Sequence, residues 1–471
     1  MEGLNWLEWG KEAFLRAKKE KKPVLLDISA VWCHWCHTMD KLTYGDKDIA
    51  DFIRKHFVTV KVDTDKRPDI NERYNVGGWP STLILASDGE VVSAATYVPP
   101  QHMVKFLTDA LQRFEKYRPK KKKKSIEQKP IELDEKYFYD LVKSFYDPVN
   151  GGFGLEPKFP HPDILDFLLW KVMRDKDNGS KKMIEHSLKA MSGGEIFDRI
   201  GGGFFRYATQ QNWTYPHFEK MLDDNAKLLS VYLHAYQVFK KDEYLSVANR
   251  ILFFIFTMLY DREKGVFYCS QDADEEYCGL EFEKRFLAPP PAIDTVIYTD
   301  SNAMLALSLF VAAELDDEYE SIALKILEFL YKHNIRGGVT HYYTSEKPLY
   351  LLKDHVYLLA ALVHAFKRTN RLEWRAKALT VAKHLERFYD KKNGGFFDIV
   401  AEKGAVGRMK DRKKPVNENA FAALVLKELA KISNIEKYAK MAHKSLQAVS
   451  ANAMALGPYA ATYAVAVGEL K

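Results

Sequence analysis

Five residues near the start of the chain, Cys33-His34-Trp35-Cys36-His37, hold the densest reactive chemistry in the sequence. Two cysteines spaced C-x-x-C can cycle between dithiol and disulfide, and a histidine follows each. An apolar run, Pro23 to Ala30, leads in, and a helix-compatible stretch, Thr38 to Phe57, follows. A thiol at a helix mouth meets unpaired N–H groups and a partial positive charge, which favour the thiolate. A charged imidazole alongside acts in the same direction, so the pair is expected to be oxidising. Other uses of these residues stand beside the redox one. C-x-x-C-H attaches c-type haem, through Cys33, Cys36 and His37 here, but in exported proteins. Zinc could take Cys33, Cys36, His34 and His37, although four ligands so close in sequence strain a tetrahedron. The cysteines could also serve packing alone. The expectation is thiol chemistry, with no metal and no cofactor.

A second set of polar residues lies far downstream. Inverting sugar hydrolysis needs an acid and a base carboxylate, and Glu219, Asp223, Asp272, Asp274 and Asp300 are the candidates. An epimerase or isomerase would use histidines instead, His217 first, then His355 and His161. On a helix running from Pro216, Glu219 and Asp223 share one face and Lys220 and Asp224 the next. Arg199, Arg206, Tyr207, Trp213 and His355 are expected to bind substrate, because aromatic faces beside hydrogen-bonding groups suit a polyol. Each has a plainer reading. Asp198 and Arg199 read as a turn-fixing ion pair, and Tyr207 and Trp213 as core. Cys269 and Cys278 flank the Asp272–Asp274 loop. A reversible disulfide there would exchange with Cys33, but two unrelated thiols are the simpler account.

These residues need elements to hold them. In residues 1–117, Asn5 to Lys19 reads as an amphipathic helix with Trp6, Trp9, Phe14 and Leu15 available for one face. Strands are expected to Ala30, over Phe57–Asp63, and over Leu83–Ala86 and Val91–Val92 about a turn at Ser87–Glu90. Gln101–Lys116 closes the domain as a helix. Trp79-Pro80, directly before a strand, is where a cis peptide is tolerated. Residues 118–130 read as a basic, solvated linker, with binding of an acidic partner the lesser reading.

Residues 131–471 carry a repeat: an acidic residue and then a glycine-aromatic turn. It recurs at Asp147…Gly151-Gly152-Phe153, Asp198…Gly202-Gly203-Phe204, Asp261…Gly265-Val266-Phe267 and Asp390…Gly394-Gly395-Phe396, and more weakly at Asn334…Val339. Twelve helix-period segments lie between these turns: 133–146, 163–175, 182–197, 218–240, 242–260, 300–315, 317–333, 354–369, 371–389, 417–432, 434–450 and 458–470. Paired as hairpins, they predict an (α/α)6 barrel. Leu305–Phe310 and Leu358–Leu362 are expected in its inner layer. Loops on one face would converge over the barrel mouth.

Composition narrows the classes. The net charge is +6, and Arg118 with Lys120–Lys124 supplies six positive charges. The remainder is near neutral, which argues against a nucleic-acid partner. Ile251–Tyr260, the longest apolar run, is too short to span a bilayer, and the first residues lack a signal-peptide pattern. A cytoplasmic protein without a membrane partner is expected. Nothing in the sequence sets its oligomeric state.

Taken together, these motifs resemble one family. Trp32-Cys33…Cys36-His37, Val62-Asp63, Arg67-Pro68-Asp69-Ile70 and Gly78-Trp79-Pro80 are similar to a thioredoxin-like module. Gly152-Phe153-Gly154, Pro157-Lys158-Phe159-Pro160, Pro216-His217-Phe218-Glu219-Lys220-Met221-Leu222 and Gln271-Asp272-Ala273-Asp274 are similar to its barrel. The chain resembles the DUF255 thioredoxin-domain family, and its barrel resembles six-hairpin glycosidases and N-acylglucosamine 2-epimerases. The resemblance implies Cys33 as the exposed nucleophile, Cys36 as the resolving thiol, and Trp79 and Pro80 as substrate contacts. It also implies a sugar-like ligand in the barrel, a protein disulfide as the redox substrate, or both. Val31-Trp32, Leu42–Gly45 and the short Gly279–Ile297 region depart from the family pattern. Redox catalysis, a carbohydrate-active barrel regulated by the thiol module, and a non-catalytic binding protein are the three functions carried forward.

Overall fold

The structure, a computed structural model, describes residues 4–119, 129–344 and 347–470. Two units divide the chain: Met1–Glu127 with Ala401–Arg412, and Gln128–Val400 with Lys413–Lys471. The basic run of the expected linker, 120–128, lies outside the described residues. The inclusion of Ala401–Arg412 in the first unit was not expected.

The first unit is α/β. Its helices and strands run α1 (Lys11–Glu20), β1 (Val24–Ser29), α2 (His34–Met39), α3 (Lys47–His56), β2 (Val58–Asp63), α4 (Pro68–Tyr74), β3 (Ser81–Leu85), β4 (Val91–Ala95) and α5 (Pro100–Lys116). The sheet order is β2-β1-β3-β4, with β1 parallel to β2 and antiparallel to β3. β1 and β3 are the central strands, and every residue in them is buried. Such continuous burial explains why Val24-Leu25-Leu26 lacks the alternation of a half-exposed strand. The Trp79–Pro80 bond is cis.

Two helix expectations are corrected. Leu7 pairs with Val60 at the sheet edge, so the first helix begins only at Lys11, and Leu15 is 66% exposed. The stretch from Thr38 to Phe57 is broken. A π turn, Asp40–Tyr44, follows α2, and Asp46 then restarts the chain by accepting the Ile49 N–H at 3.0 Å. An aspartate N-cap competes well with helix continuation. Ala401–Arg412 is held on α4 by backbone acceptors. Arg73 donates to the Arg408 and Asp411 carbonyls, and the Arg408 N–H donates to the Tyr74 hydroxyl at 2.8 Å.

The second unit is all-helical apart from two-residue strands. Its helices are α6 (Glu135–Phe145), α7 (Pro162–Asp175), α8 (Asn178–Gly193), α9 (Leu222–Phe239), α10 (Asp242–Phe254), α11 (Glu275–Cys278), α12 (Phe282–Leu287), α13 (Thr299–Ala312), α14 (Glu318–His333), α15 (Leu352–Thr369), α16 (Leu372–Leu385), α17 (Val416–Ser433), α18 (Glu436–Leu456) and α19 (Ala461–Leu470). α7 packs on α9, α9 on α13, α13 on α15, α15 on α17, α17 on α19, and α19 on α7. That is a closed inner ring. α6, α8, α10, α14, α16 and α18 each pack outside a ring member. The second unit is therefore an (α/α)6 barrel. Leu305–Phe310 and Leu358–Leu362 do lie on ring helices. α13 shows why: it is buried on nearly every face, as an inner helix must be. Among the described residues, no helix is long and apolar enough to cross a membrane.

The repeated turns are built alike. In each, the aspartate side chain accepts two backbone N–H groups: Asp147 from Val149 and Asn150, Asp198 from Ile200 and Gly201, Asp261 from Glu263 and Lys264, Asp390 from Lys392 and Asn393. A lysine then neutralises it: Lys158, Lys220, Lys264 and Lys414 in turn. The glycines turn the chain at positive φ. At Gly203, φ is +74° and a Cβ would sit 2.8 Å from the Phe254 ring, so no other residue fits without movement.

Candidate functional sites in the two units

In the first unit, β1 delivers the cysteines and α2 opens at Cys33. Cys33 and Cys36 are joined as a disulfide. The Cys33 sulfur accepts the Cys36 N–H at 3.2 Å, so the helix end faces this sulfur. Cys33 keeps 7% of its surface and Cys36 3%. Both residues are buried, so Cys33 is not the exposed group that was expected. Trp32 is fixed by donating Nε1–H to Asp65 at 2.6 Å, and its ring meets Trp79 edge-on at 5.5 Å. The Trp79 Nε1–H reaches Asn71 at 3.2 Å. His34 and His37 are exposed, and His37 Nε2 is hydrogen-bonded to the Val31 carbonyl at 2.6 Å. Trp35 is 47% exposed beside Tyr97.

Sequence reasoning missed Asp27. It is 1% exposed on β1, and its Oδ1 has no hydrogen-bond partner. Burial pushes its carboxyl up to about 6, with Lys61, 3.4 Å away, pulling the other way. An acidic residue inside the apolar run before a C-x-x-C was the available signal.

In the second unit, the structure rearranges the expected helix. Pro216–His217 is a short strand paired with Tyr207–Ala208, Lys220–Met221 is another, and α9 starts only at Leu222. Glu219 therefore does not share a helix face with Asp223. Lys220 turns away from Asp224 into a buried cluster, donating to Asp198 at 2.6 Å. Asp198 also receives Arg285 at 2.7 and 2.8 Å. The expected Asp198–Arg199 pair is thus replaced, and Arg199 donates to the Gly193 carbonyl.

Four expected residues do come together. Tyr207 stacks on His217, with ring centroids 4.5 Å apart, and on Phe159 at 4.8 Å. Glu219 lies 3.4 Å from Arg206 and 3.9 Å from His217 Nδ1. This is a flat aromatic face beside a carboxylate, a guanidinium and a half-exposed imidazole, directly before α9.

Four others do not join them. Trp213 is 1% exposed and donates Nε1–H to the Asn150 carbonyl, so it is core. Asp274 caps α11 by accepting the Tyr277 N–H, and Asp272 accepts the Ala273 N–H. His355 is wholly buried. Its Nε2 accepts the Val339 N–H at 3.0 Å, its Nδ1 is bonded to the Leu351 carbonyl, and burial pushes its pKa down to about 3. It is a neutral structural residue. Asn225, Asn302 and Asn419 hold the equivalent place on α9, α13 and α17, each clamping a turn phenylalanine by its N–H and carbonyl. His161 is likewise pushed down to about 4 by burial. Cys269 and Cys278 are not joined, and burial pushes the Cys278 thiol up to about 11.

Ring closure assembles a second cluster that spacing did not show. Each ring helix is separated from the next by an outer one, so all six run in the same direction. The first two turns of five of them supply Asp163 and Asp166 (α7), Asp223, Asp224 and Lys227 (α9), Asp300 (α13), Lys353, Asp354 and Tyr357 (α15) and Glu418 (α17). Lys227 is 3.0 Å from Asp163, and Lys353 is 2.7 Å from Asp300. His341 Nδ1 is 3.0 Å from Asp354. Burial pulls the imidazole down most strongly, but the charge and hydrogen bond of Asp354, with Asp300 beyond, together hold it above its ordinary range. Asp166 is reached by solvent, yet burial pushes its carboxyl up to about 7. Asp224 rises to about 7 through burial and then Asp223. These groups mark one end of the ring, the lumen of the barrel. Asp300, His341 and Asp354 are spaced to hold a metal ion, but the Lys353 ammonium already lies on Asp300.

Comparison with known proteins agrees with both halves. Residues 1–136 match the Thioredox_DsbH family model, described as a protein of unknown function, DUF255. Spermatogenesis-associated protein 20 of Homo sapiens is 34% identical over 308 residues, covering 58% of this chain and 39% of that protein. The chain thus spans about two fifths of the length of the curated relatives it first matches. Thioredoxin-like protein slr0233 of Synechocystis is 37% identical over 71 residues, 15% of this chain and 64% of that one. Among solved structures, cellobiose 2-epimerase from Bacillus thermoamylovorans superposes with a TM-score of 0.56 at 12% identity, over 67% of this chain and 85% of that one. At that identity the likeness speaks for the barrel fold alone.

Proposed function

We propose that this chain, which joins the DUF255 thioredoxin-like module to an (α/α)6 barrel, is a thiol–disulfide oxidoreductase whose barrel holds a carbohydrate-type ligand. The observation that carries the first part is the Cys33–Cys36 disulfide at the end of β1 and the mouth of α2. In the reducing direction, the Cys33 thiolate attacks a substrate disulfide. One substrate sulfur leaves as thiolate, and Cys33 is held in a mixed disulfide. Cys36 then attacks Cys33, releasing the second substrate thiol and restoring the internal disulfide. The reverse sequence oxidises a dithiol. Trp79 and the Pro80 backbone are the proposed contacts for the substrate chain. Asp27, buried with an open oxygen, is the proposed proton acceptor of the unit.

Reduction of insulin disulfides by the dithiol form tests this. Wild type is expected to turn insulin over and Cys33→Ser to fall to background. Equal rates in both would overturn the proposal.

A second activity in the barrel is favoured by the convergence of His217, Glu219 and Arg206 with the Tyr207 face. There His217 and Glu219 would exchange a proton with a bound sugar, while Asp223 and Asp224 bind its hydroxyls. His217→Ala should then lose turnover of that sugar, and Cys33→Ser should keep it.

A further inference from the structure

Ala401–Arg412 is part of the first unit, while Val400 and Lys413 on either side belong to the second. The first unit is thus completed by a strap whose Arg408 lies 335 positions downstream of its partner, Arg73. The bonds of the strap gather at the last turn of α4 and at the turn between β3 and β4. Arg73 donates to the Arg408 carbonyl at 3.2 Å and to the Asp411 carbonyl at 2.9 Å, and Arg408 donates back to the Arg73 carbonyl at 3.0 Å. The Tyr74 hydroxyl accepts the Arg408 N–H at 2.8 Å and donates to the Gly89 carbonyl at 2.9 Å. The Arg408 guanidinium lies over the Tyr74 ring, 5.4 Å from its centroid. Arg73 and Tyr74 are both buried.

The fit is close. Gly407 has φ of +57°, and a Cβ there would sit 2.2 Å from the Tyr74 hydroxyl oxygen. A Cβ on Gly89 would sit 2.4 Å from the Gly407 Cα. Two backbones meet where neither residue can carry a side chain. A loop that only spans a gap needs no such approach.

The helix under the strap carries the proposed substrate contacts. α4 has seven residues, too few to persist without outside support. Asn71 accepts the Trp79 Nε1–H at 3.2 Å and the Asn75 side-chain N–H at 3.0 Å. Asn75, directly after the helix, accepts the N–H groups of Gly77 at 2.7 Å and Gly78 at 3.1 Å. Arg73 and Tyr74 lie between these two asparagines. Moving the end of α4 therefore moves the groups that hold the Gly77–Pro80 loop. Cys33 and Cys36 are placed by β1 and the start of α2 instead.

We propose that Gly407 and Arg408 are positioning residues of the redox site. Docked on Arg73 and Tyr74, they hold α4 so that Trp79 and Pro80 present an ordered edge to the substrate chain. This rests on the oxidoreductase reading and assigns the strap to substrate binding, not to the exchange step. The thiols react as before, and only the capture of a polypeptide disulfide depends on the strap.

Two variants of the full chain test it. Gly407→Ala drives a methyl group against the Tyr74 hydroxyl, and Tyr74→Phe removes that hydroxyl with both of its bonds while keeping the ring. Hydrogen–deuterium exchange over residues 71–80 is expected to rise at least about tenfold in Gly407→Ala and less in Tyr74→Phe, with β1 unchanged. In Gly407→Ala the KM for insulin should rise at least about fivefold with kcat kept within about twofold. Reduction of dithionitrobenzoate, which has no chain to lie along Trp79 and Pro80, should stay within about twofold of wild type. Four results would overturn the proposal. Unchanged exchange over 71–80 in both variants means that the strap does not hold the loop. Faster exchange with an unchanged insulin KM means that the order of the loop does not serve binding. Equal losses on insulin and dithionitrobenzoate mean that the strap supports the cysteines themselves. If the wild type reduces neither disulfide, the oxidoreductase reading falls and takes the substrate role with it, whatever the exchange shows.

Discussion

The two units deliver their reactive groups in opposite ways. Cys33 and Cys36 come from one short stretch, and a single strand and helix start place both. The lumen groups come from five ring helices, spread from Asp163 to Glu418, and meet only because the ring closes. A contiguous site depends on local geometry and survives distant change. A convergent site inherits every error in the packing that assembles it. The difference should therefore show when each region is perturbed.

The largest contrast is chemical. Cys33→Ser is expected to take disulfide exchange to the uncatalysed background while leaving sugar binding unchanged, measured by insulin reduction and calorimetry on one preparation. A parallel loss of sugar binding would end the claim that the two sites are assembled independently.

The next contrast is in the scaffold. Asn302 accepts the Phe267 N–H and donates to the Phe267 and Tyr298 carbonyls, at 2.9, 2.9 and 3.0 Å. Asn302→Ala removes these bonds and leaves buried backbone groups unpaired, at a cost of roughly 3–5 kcal/mol. Urea unfolding of the barrel should show that loss and impaired sugar binding together, with insulin reduction preserved. A cost below about 1 kcal/mol would mean the turns hold without their clamps.

The same contrast explains what could be read from the sequence. The C-x-x-C, Pro80 and the apolar runs act on their neighbours, so the thioredoxin-like order of elements was legible. The glycine-aromatic turns and helical periods likewise gave the twelve barrel helices, with ends off by a few residues. They were off where an aspartate cap outweighed the period, as at Asp177, which accepts the Ser180 N–H and starts α8 four residues early. Lys220 and Asp224 were misread because adjacency on a presumed helix stood in for a partner, Asp198, in a distant turn. Trp213 and His355 were misread because a polar or aromatic group in a loop motif looks alike whether it faces ligand or core. The lumen cluster was illegible for a deeper reason. Asp166 and Glu418 share no local pattern, and only ring closure makes them neighbours of Lys227.

A smaller effect separates the units by pH. Asp27 has a folded pKa raised from 3.8 to about 6, chiefly by burial. The native state thus holds this proton more tightly than the unfolded chain. The stability it contributes is complete below about pH 4 and lost as pH climbs through 6, by about 3 kcal/mol. Asp27→Asn should match wild type near pH 4 and exceed it near pH 8 in denaturant unfolding of the first unit. Its insulin-reduction profile should also lose the titration near pH 6. If stability ran parallel in the two proteins at all pH values, Asp27 would not titrate in the fold.

The smallest expected effect is the sharpest test of how the barrel reuses one device. Asn225, Asn302 and Asn419 each donate to the carbonyl four residues earlier, of Met221, Tyr298 and Pro415, while accepting a turn N–H. His355 does both with its two ring nitrogens, toward Leu351 and Val339. An asparagine therefore satisfies the same two groups. What His355→Asn forfeits is ring contact with Phe388, whose centroid is 4.7 Å away. The expected loss is about 1 kcal/mol, with sugar binding and any turnover retained. His355→Leu keeps the bulk but strands the Val339 N–H, and should cost about 1–3 kcal/mol. That ordering identifies a structural clamp. A histidine acting on the ligand would instead lose binding or turnover in both variants, with little regard to stability.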